Sequence, residues 1–246
     1  MKYRHLLSLA PIVILLVLVG CYPPPEFPPE PAITFVNVEF KEATDPPSAR
    51  DTLALTIHFT DGDGDLGLAP EEDGDESLYR QRNYFFNEEN GDTLQWNDPQ
   101  VADIPYEFPY TCLNWELVLR GYTEVDGVRT PDFDTLYYEI NDNHYNITVD
   151  FFYKPDGQAE WEELDWRLFR EPSCGETFDG RFPILYEEEE AGFPLEGDMR
   201  YTMVSDGFLS LFGADSMRLE VEIKDRALNR SNKLVTPSFT LPNIRN

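Results

Sequence analysis

Three aspartates alternate with glycines in the short segment 61–65, and their side chains could together hold a hard metal cation. The glycines permit a tight turn, which lets Asp61, Asp63 and Asp65 direct their carboxylate oxygens at one ion. Without a cation these carboxylates repel one another, and residues 61–76 contain eight acidic residues and no basic residue. The segment therefore predicts a calcium-binding loop. The alternative is a solvated Asp-Gly turn that binds nothing.

The same segment partly resembles the calcium loop of an EF-hand. The three aspartates occupy its first, third and fifth positions, and Glu72 stands twelfth. The resemblance fails at the sixth position, where Leu66 replaces glycine, and Pro70 disfavours a helix after the loop. We therefore expect a calcium loop between two strands rather than a true EF-hand.

A second polar turn lies about 160 residues further along the chain, between a predicted strand and the last one. Its residues Asp225, Asn229 and Asn232 resemble the Asp-x-x-x-Asn turn near the end of bacterial immunoglobulin-like and cadherin-like domains. Taken together, the two turns resemble those of a group of Bacteroidetes-type lipoproteins with a domain of this kind. The resemblance implies an immunoglobulin-like fold.

Such a fold would bring the two turns together. Four predicted strands would take the A, B, F and G positions of the sandwich: residues 36–40, 53–59, 217–223 and 235–241. The loops that leave strands B and F emerge at the same end. The predicted calcium ligands are therefore Asp61, Asp63, Asp65, Asp225, Asn229 and Asn232. The alternative is that Asp225 and Asn229 only hydrogen-bond within their own turn.

The elements that must position these turns are predicted to be strands. Residues 53–59 and 217–223 alternate apolar and polar side chains with a period of two. Further strands are expected at 136–140, 147–153 and 160–169, and one helical turn at 208–212. We predict an all-β fold, an antiparallel immunoglobulin-like β-sandwich with a long elaborated middle region. It would form one domain over residues 32–246, with a division near residue 125 as the alternative.

The amino terminus has the features of an export signal. A basic start is followed by an apolar stretch over residues 6–19, which is too short to span a bilayer and is typical of a signal peptide over residues 1–20. The stretch ends in Leu-Val-Gly-Cys, which resembles the bacterial lipobox, so we expect acyl chains on Cys21 and membrane lipid as its partner. An ordinary signal peptide is the alternative. Lipoproteins retained in the inner membrane often carry Asp directly after the lipidated cysteine, where this chain has Tyr22. We therefore expect the protein at the outer membrane, on its periplasmic or surface-exposed face.

Residues 21–31 contain six prolines and predict an extended tether in the polyproline II conformation. Two further cysteines, Cys112 and Cys174, are the simplest candidates for a disulfide in an oxidising envelope.

The net charge of −28 argues against a nucleic-acid partner, because binding to phosphate backbones needs clustered Lys and Arg. His58 and His144 are expected to be plain surface residues, and the sequence lacks both a His-Glu-x-x-His motif and a Gly-x-Ser-x-Gly elbow. We therefore predict a non-catalytic, lipid-anchored cell-envelope protein with a structural calcium site, possible partners being a glycan or an envelope protein.

Aromatic side chains suggest a second class of function. A glycan-binding component of a nutrient-capture system would stack sugars on exposed rings, whereas core packing is the ordinary role of large aromatics. The candidates are Trp96, Tyr106, Phe108, Tyr110, Trp115, Trp161 and Trp166.

Overall fold

The computed structural model describes residues 26–44, 50–86, 91–93, 115–155, 157–166, 177–186, 192–205 and 207–246. These residues form an all-β protein of antiparallel sheets, as predicted. The strands are β1 (Ala32–Lys41), β2 (Asp51–Asp61), β3 (Arg82–Tyr84), β4 (Trp115–Val125), β5 (Val128–Ile140), β6 (Ile147–Lys154), β7 (Glu162–Leu164), β8 (Leu195–Ser205), β9 (Ser216–Ile223) and β10 (Leu234–Val235). One helix, α1 (Phe208–Phe212), and short 3-10 turns at Pro70–Asp73 and Leu241–Ile244 complete the described elements.

Two sheets share the main core. The first has the strand order β1-β2-β8, and the second has the order β10-β9-β6-β7. In the first sheet β2 pairs with β8 along its whole length, from Asp51 opposite Ser205 to Asp61 opposite Leu195. In the second sheet β6 pairs with β9, with Ile147 opposite Ile223.

The period-two patterns predicted for β2 and β9 are confirmed. Leu53, Leu55, Ile57 and Phe59 of β2 are buried, and so are the four apolar residues of β9, Met217, Leu219, Val221 and Ile223. All eight belong to one hydrophobic cluster, so both strands present their apolar faces to the same core. Burying a side chain of this size contributes roughly 1.5–3 kcal/mol, so both strands make a large contribution to stability.

The predicted helical turn at 208–212 is also confirmed. Phe208 and Phe212, one turn apart on α1, are both buried. They stack on Phe151 of β6, with ring centroids 6.1 Å and 6.2 Å away. The ring of Trp166 contacts that of Phe151 edge-to-face at 5.2 Å, so this candidate for glycan stacking packs against the core.

A third sheet, with the order β3-β5-β4, extends the middle of the chain. The sequence predicted only the end of β5 here. The strands β3 and β4 were missed, and so was β8 of the first sheet. The signal for the β4–β5 hairpin is the dipeptide Asp126-Gly127, whose φ angles of 52° and 76° suit the tight turn that joins twisted strands.

Two predicted strands prove shorter than expected. The last strand was predicted over 235–241, but the ladder is limited to β10 and an isolated bridge between Met217 and Phe239. Pro237 lies between them and has no N–H to donate to a neighbouring strand. The strand predicted over 160–169 is limited in the described part of the chain to β7.

Several predicted features lie outside the described residues, namely the signal stretch, Cys21, Cys112 and Cys174. Within the part of the chain that is described, no helix is long and apolar enough to cross a membrane.

Candidate metal centre

The first acidic turn leaves the first sheet and the second leaves the other sheet, and both emerge at one end of the sandwich. β2 ends at Asp61, and Asp63 and Asp65 follow it directly. β9 ends at Ile223, two residues before Asp225. The backbone N–H of Arg226 donates to the Asp65 carbonyl oxygen at 3.4 Å, which joins the two turns.

Four carboxylates converge at this end. Asp61, Asp63, Asp65 and Asp225 each offer one oxygen, and these oxygens all lie within 4.8 Å of one another. Two calcium ligands on opposite sides of the ion, each about 2.4 Å from it, would be separated by about 4.8 Å. The spacing therefore suits ligands of one ion. We call these four residues the aspartate cluster.

The aspartate cluster contains buried oxygen atoms that lack hydrogen-bond partners. Asp61 is fully buried, at 0% exposure, and Asp225 is only 2% exposed. The Oδ1 atoms of Asp61, Asp63 and Asp65 are all inaccessible and accept no hydrogen bond. Leaving a buried charged acceptor unsatisfied costs several kcal/mol, so these atoms favour a bound cation.

The other oxygens of two cluster residues are used to fix their orientation. Asp61 Oδ2 accepts a hydrogen bond from the Asp65 backbone N–H at 3.0 Å. Asp65 Oδ2 accepts one from the Ala227 backbone N–H, also at 3.0 Å. Each carboxylate thus has one oxygen held by the backbone and one directed at its neighbours.

Burial and mutual repulsion raise the pKa values of three residues of the aspartate cluster, Asp61, Asp65 and Asp225. Burial, together with the charges of Asp63, Asp65 and Asp225, raises the pKa of Asp61 to about 7. Burial and the charges of Asp225 and Asp63 raise the pKa of Asp65 to about 6. The pKa of Asp225 is also raised, mainly by burial. Without a counterion, the protein resists ionising these groups.

Asn229 and Asn232, the two predicted amide ligands, have different surroundings. The backbone N–H and the side-chain amide of Asn229 both donate to the Asp225 carboxylate at 2.7 Å. The hydrogen bonding within the turn, which was the alternative expectation, is therefore present, and it holds a carboxylate of the cluster. Asn232 forms two hydrogen bonds with the backbone of Ile33 instead. Its Oδ1 accepts from the Ile33 N–H at 2.9 Å, and its Nδ2 donates to the Ile33 carbonyl oxygen at 3.0 Å, so Asn232 anchors β1.

Glu72, the twelfth residue of the EF-hand comparison, lies outside the aspartate cluster. Its carboxylate pairs with both terminal nitrogens of Arg226, and its Oε2 also accepts from the Ala69 backbone N–H at 2.7 Å. Burial alone would raise the pKa of Glu72, but the hydrogen bonds from Arg226 lower it. The Tyr79 hydroxyl donates to the Arg226 carbonyl oxygen and braces the same turn. No sequence pattern indicates these contacts, and they were not predicted.

The glycines of the first turn permit close packing as well as flexibility. Gly64 has a φ of 68°, and a Cβ placed on it would lie 1.9 Å from the Phe193 carbonyl oxygen. Any side chain there would force the turn away from the chain segment that leads into β8. The sequence therefore needs glycine at this position to gather the aspartates.

The two histidines were expected to be surface residues, and this is wrong for His144. His144 is only 8% exposed, and its Nδ1 lies 3.0 Å from the Tyr79 carbonyl oxygen. Burial and the nearby Arg181 guanidinium lower its pKa. His58 is partly exposed on β2, with its Nδ1 2.8 Å from Asp198.

The tryptophans give the glycan-binding alternative little geometric support. Arg218 and Lys154 lie over the Trp161 ring, 4.9 Å and 5.2 Å from its centroid. Trp96, Tyr106, Phe108 and Tyr110 lie outside the described residues, as does the side chain of Trp115. The glycan-binding role stays a prediction from sequence.

Comparison with known proteins adds no further indication of function. No family model, no curated protein and no solved structure matches the chain. The chemistry of the site therefore rests on its own donors. Carboxylate oxygens with no nitrogen or sulfur among them are the ligands of hard cations rather than of zinc or copper.

Proposed function

We propose that this chain is a lipid-anchored, non-catalytic protein of the bacterial cell envelope whose β-sandwich carries a structural calcium site. The observation that carries the proposal is the aspartate cluster, with four carboxylate oxygens within 4.8 Å and three buried oxygens without hydrogen-bond partners. A divalent cation would satisfy these atoms and compensate the burial and the repulsion that raise the pKa of Asp61.

Calcium fits this site better than magnesium. Calcium accepts six to eight oxygens in irregular arrangements, whereas magnesium requires a near-ideal octahedron and retains several waters. The four carboxylates come from two separate turns, and three of them are interspersed with glycines. Such an arrangement adapts readily to a large, flexible coordination sphere.

The role of the ion would be structural, because its ligands come from both halves of the core. Asp61 closes β2 of the first sheet, and Asp225 follows β9 of the second. An ion held by both residues would tie the two sheets together at one end. Binding that is specific to the folded state stabilises it by about 2.7 kcal/mol at a hundredfold excess of ion over Kd.

The fold, we further propose, is immunoglobulin-like. If β1, β2, β8, β6, β7, β9 and β10 are the A, B, E, C, C′, F and G strands, the sheet orders are A-B-E and G-F-C-C′. These orders agree with the two antiparallel sheets of such a sandwich. The third sheet is then an insertion between strands B and C.

The envelope location rests on the sequence. The apolar stretch at 6–19 and the lipobox-like ending at Cys21 support export and acylation, and Tyr22 supports sorting to the outer membrane. The proline-rich segment that follows would hold the sandwich away from the lipid surface.

Thermal melting of the detergent-solubilised full chain, with calcium or with EDTA, tests the proposal. For a domain of this size we expect saturating calcium to raise the Tm by about 5–10 °C. The double substitution Asp63→Asn with Asp65→Asn should abolish most of this shift.

The matched control is Asp73→Asn with Asp75→Asn. It removes the same charge from exposed positions of the same acidic segment that do not belong to the aspartate cluster. It should retain the full calcium shift. An unchanged Tm at millimolar calcium, or equal loss in both double variants, would refute the calcium site.

A further inference from the structure

The end of the proline-rich tether lies directly on the metal-binding turn. The Gly62 backbone N–H donates to the Pro28 carbonyl oxygen at 2.9 Å. A Cβ on Gly62 would lie 2.3 Å from the Phe27 carbonyl oxygen and 2.4 Å from that of Pro28. The tether backbone therefore contacts the turn at the one residue that separates Asp61 from Asp63.

This contact continues into the first sheet. Pro31 is buried, and β1 begins at Ala32 opposite Thr60, the residue before Asp61. Prolines have no N–H to donate, so Pro28, Pro29 and Pro31 can take part in backbone hydrogen bonds only as acceptors. The fit of the tether against the sandwich consequently depends on a turn that presents its N–H in the correct place.

Electrostatics links that turn to the ion. Without a cation, the carboxylates on either side of Gly62 repel each other and the nearby Asp225. The tether adds two further negative charges, Glu26 and Glu30, both exposed. A bound cation would draw the carboxylates together and reduce the repulsion that the tether meets.

We infer that cation binding at the aspartate cluster locks the end of the proline-rich tether, residues 26–31, against the sandwich. The inference rests on the proposed calcium site. With the ion bound, the tether leaves the domain in one fixed direction, so the ion sets how the domain is held relative to its anchor. Without the ion, this joint opens while the sandwich stays folded.

Cleavage of the Glu26–Phe27 bond by a glutamate-specific protease reports on this joint. The detergent-solubilised full chain is digested with calcium or with EDTA, and the rate at this bond is followed by mass spectrometry. Calorimetric titration of the same sample measures calcium binding separately. We expect saturating calcium to slow cleavage at this bond by about tenfold or more, because cleavage requires local opening. Cleavage after Glu124, in the β4–β5 hairpin that contributes no residue to the aspartate cluster, should stay unchanged.

Glycine variants test the contact itself. Gly62→Ala should give fast cleavage with and without calcium, because the new methyl group displaces the tether. Gly74→Ala is the matched control, since a Cβ there meets nothing within 4 Å, and it should behave like the unsubstituted chain.

The outcomes distinguish the two proposals. Calcium binding in the titration without any slowing of cleavage at Glu26–Phe27 would overturn the tether lock and leave the calcium site standing. The absence of calcium binding would overturn both. If Gly62→Ala retained the calcium-dependent slowing, the contact at Gly62 would not be the joint, and the inference would fail.

Discussion

Two regions of the molecule are rich in acidic side chains, yet they are built differently. The aspartate cluster brings oxygens of four carboxylates within 4.8 Å of one another. A groove of about 380 Å³ on the second sheet is also lined by acidic residues, Asp150, Glu163, Asp165, Asp179, Glu220 and Glu222. In the groove, Glu220 pairs with Arg218 and Lys233 at 3.1 Å and 3.3 Å, and Glu222 pairs with Arg230.

The difference lies in what compensates the charge. The groove contains its own cations, whereas Arg226, the base next to Asp225 in the chain, is paired with Glu72. Among the described residues, only the aspartate cluster gathers three or more such ligand atoms this closely. Acidity alone therefore does not indicate a metal site. A metal site is indicated where buried carboxylate oxygens converge and have no hydrogen-bond partner within the protein.

The largest predicted effect comes from breaking the turn that gathers the aspartates. Gly64→Ala requires a side chain at positive φ and places its Cβ 1.9 Å from a backbone oxygen. We expect it to lower the free energy of unfolding by about 3 kcal/mol or more. Gly74→Ala should change it by less than about 0.5 kcal/mol. Chemical denaturation measures both, and equal effects would show that the close packing at Gly64 is not needed.

Neutralising one residue of the aspartate cluster should have opposite effects with and without calcium. Asp61→Asn relieves repulsion, so in EDTA it should stabilise the protein, whereas in saturating calcium it should destabilise it by about 2–3 kcal/mol through the lost ligand. Glu220→Gln in the groove, which removes the same charge, should leave the calcium-induced shift intact. Thermal melts in both conditions measure the two signs. An Asp61→Asn variant that is destabilised equally in both conditions would contradict the account.

The pH dependence should distinguish the calcium-free protein from the calcium-bound protein. Asp61 and Asp65 have raised pKa values of about 7 and about 6 in the folded state, compared with the ordinary aspartate pKa of 3.8. Between these pH values the folded state therefore retains protons that the unfolded chain has already released. In EDTA the free energy of unfolding should therefore fall by several kcal/mol as the pH rises from about 4 to about 7. Calcium binds the ionised carboxylates and should remove this fall. Urea unfolding in a series of buffers checks it, with Asp61→Asn expected to flatten the EDTA curve.

The smallest effect is expected in the groove. Glu222→Gln breaks the pair with Arg230, whose side chain is 54% exposed, so solvent already screens the interaction. We expect a loss of less than about 1 kcal/mol in the free energy of unfolding. A loss of several kcal/mol, measured by denaturation, would mean that the two acidic regions differ less than proposed.

The features that could be predicted from the sequence are those with a regular local pattern of residues. Alternation in β2 and β9 revealed two buried strands, because a period of two in apolar side chains means one buried face. The spacing of Asp61, Asp63 and Asp65 likewise revealed three members of the aspartate cluster, and the turn at Asp225 the fourth.

The rest depended on contacts between distant segments, which no local pattern contains. Asn232 carries the same amide as Asn229, yet it anchors β1 because Ile33 lies beside it. The contact between Gly62 and Pro28, and the brace formed by Tyr79, Arg226 and Glu72, also join parts of the chain that lie far apart in sequence. β8 was missed although Met199, Tyr201 and Met203 alternate with polar residues along it, the same period of two that revealed β9.

A crystal structure of the protein grown with calcium, with anomalous scattering used to locate the ion, tests the central claim most directly. The account predicts a single ion at the end of the sandwich, about 2.3–2.6 Å from oxygens of Asp61, Asp63, Asp65 and Asp225. Aspartates at this end that contact only water, or an ion found in the groove instead, would contradict it.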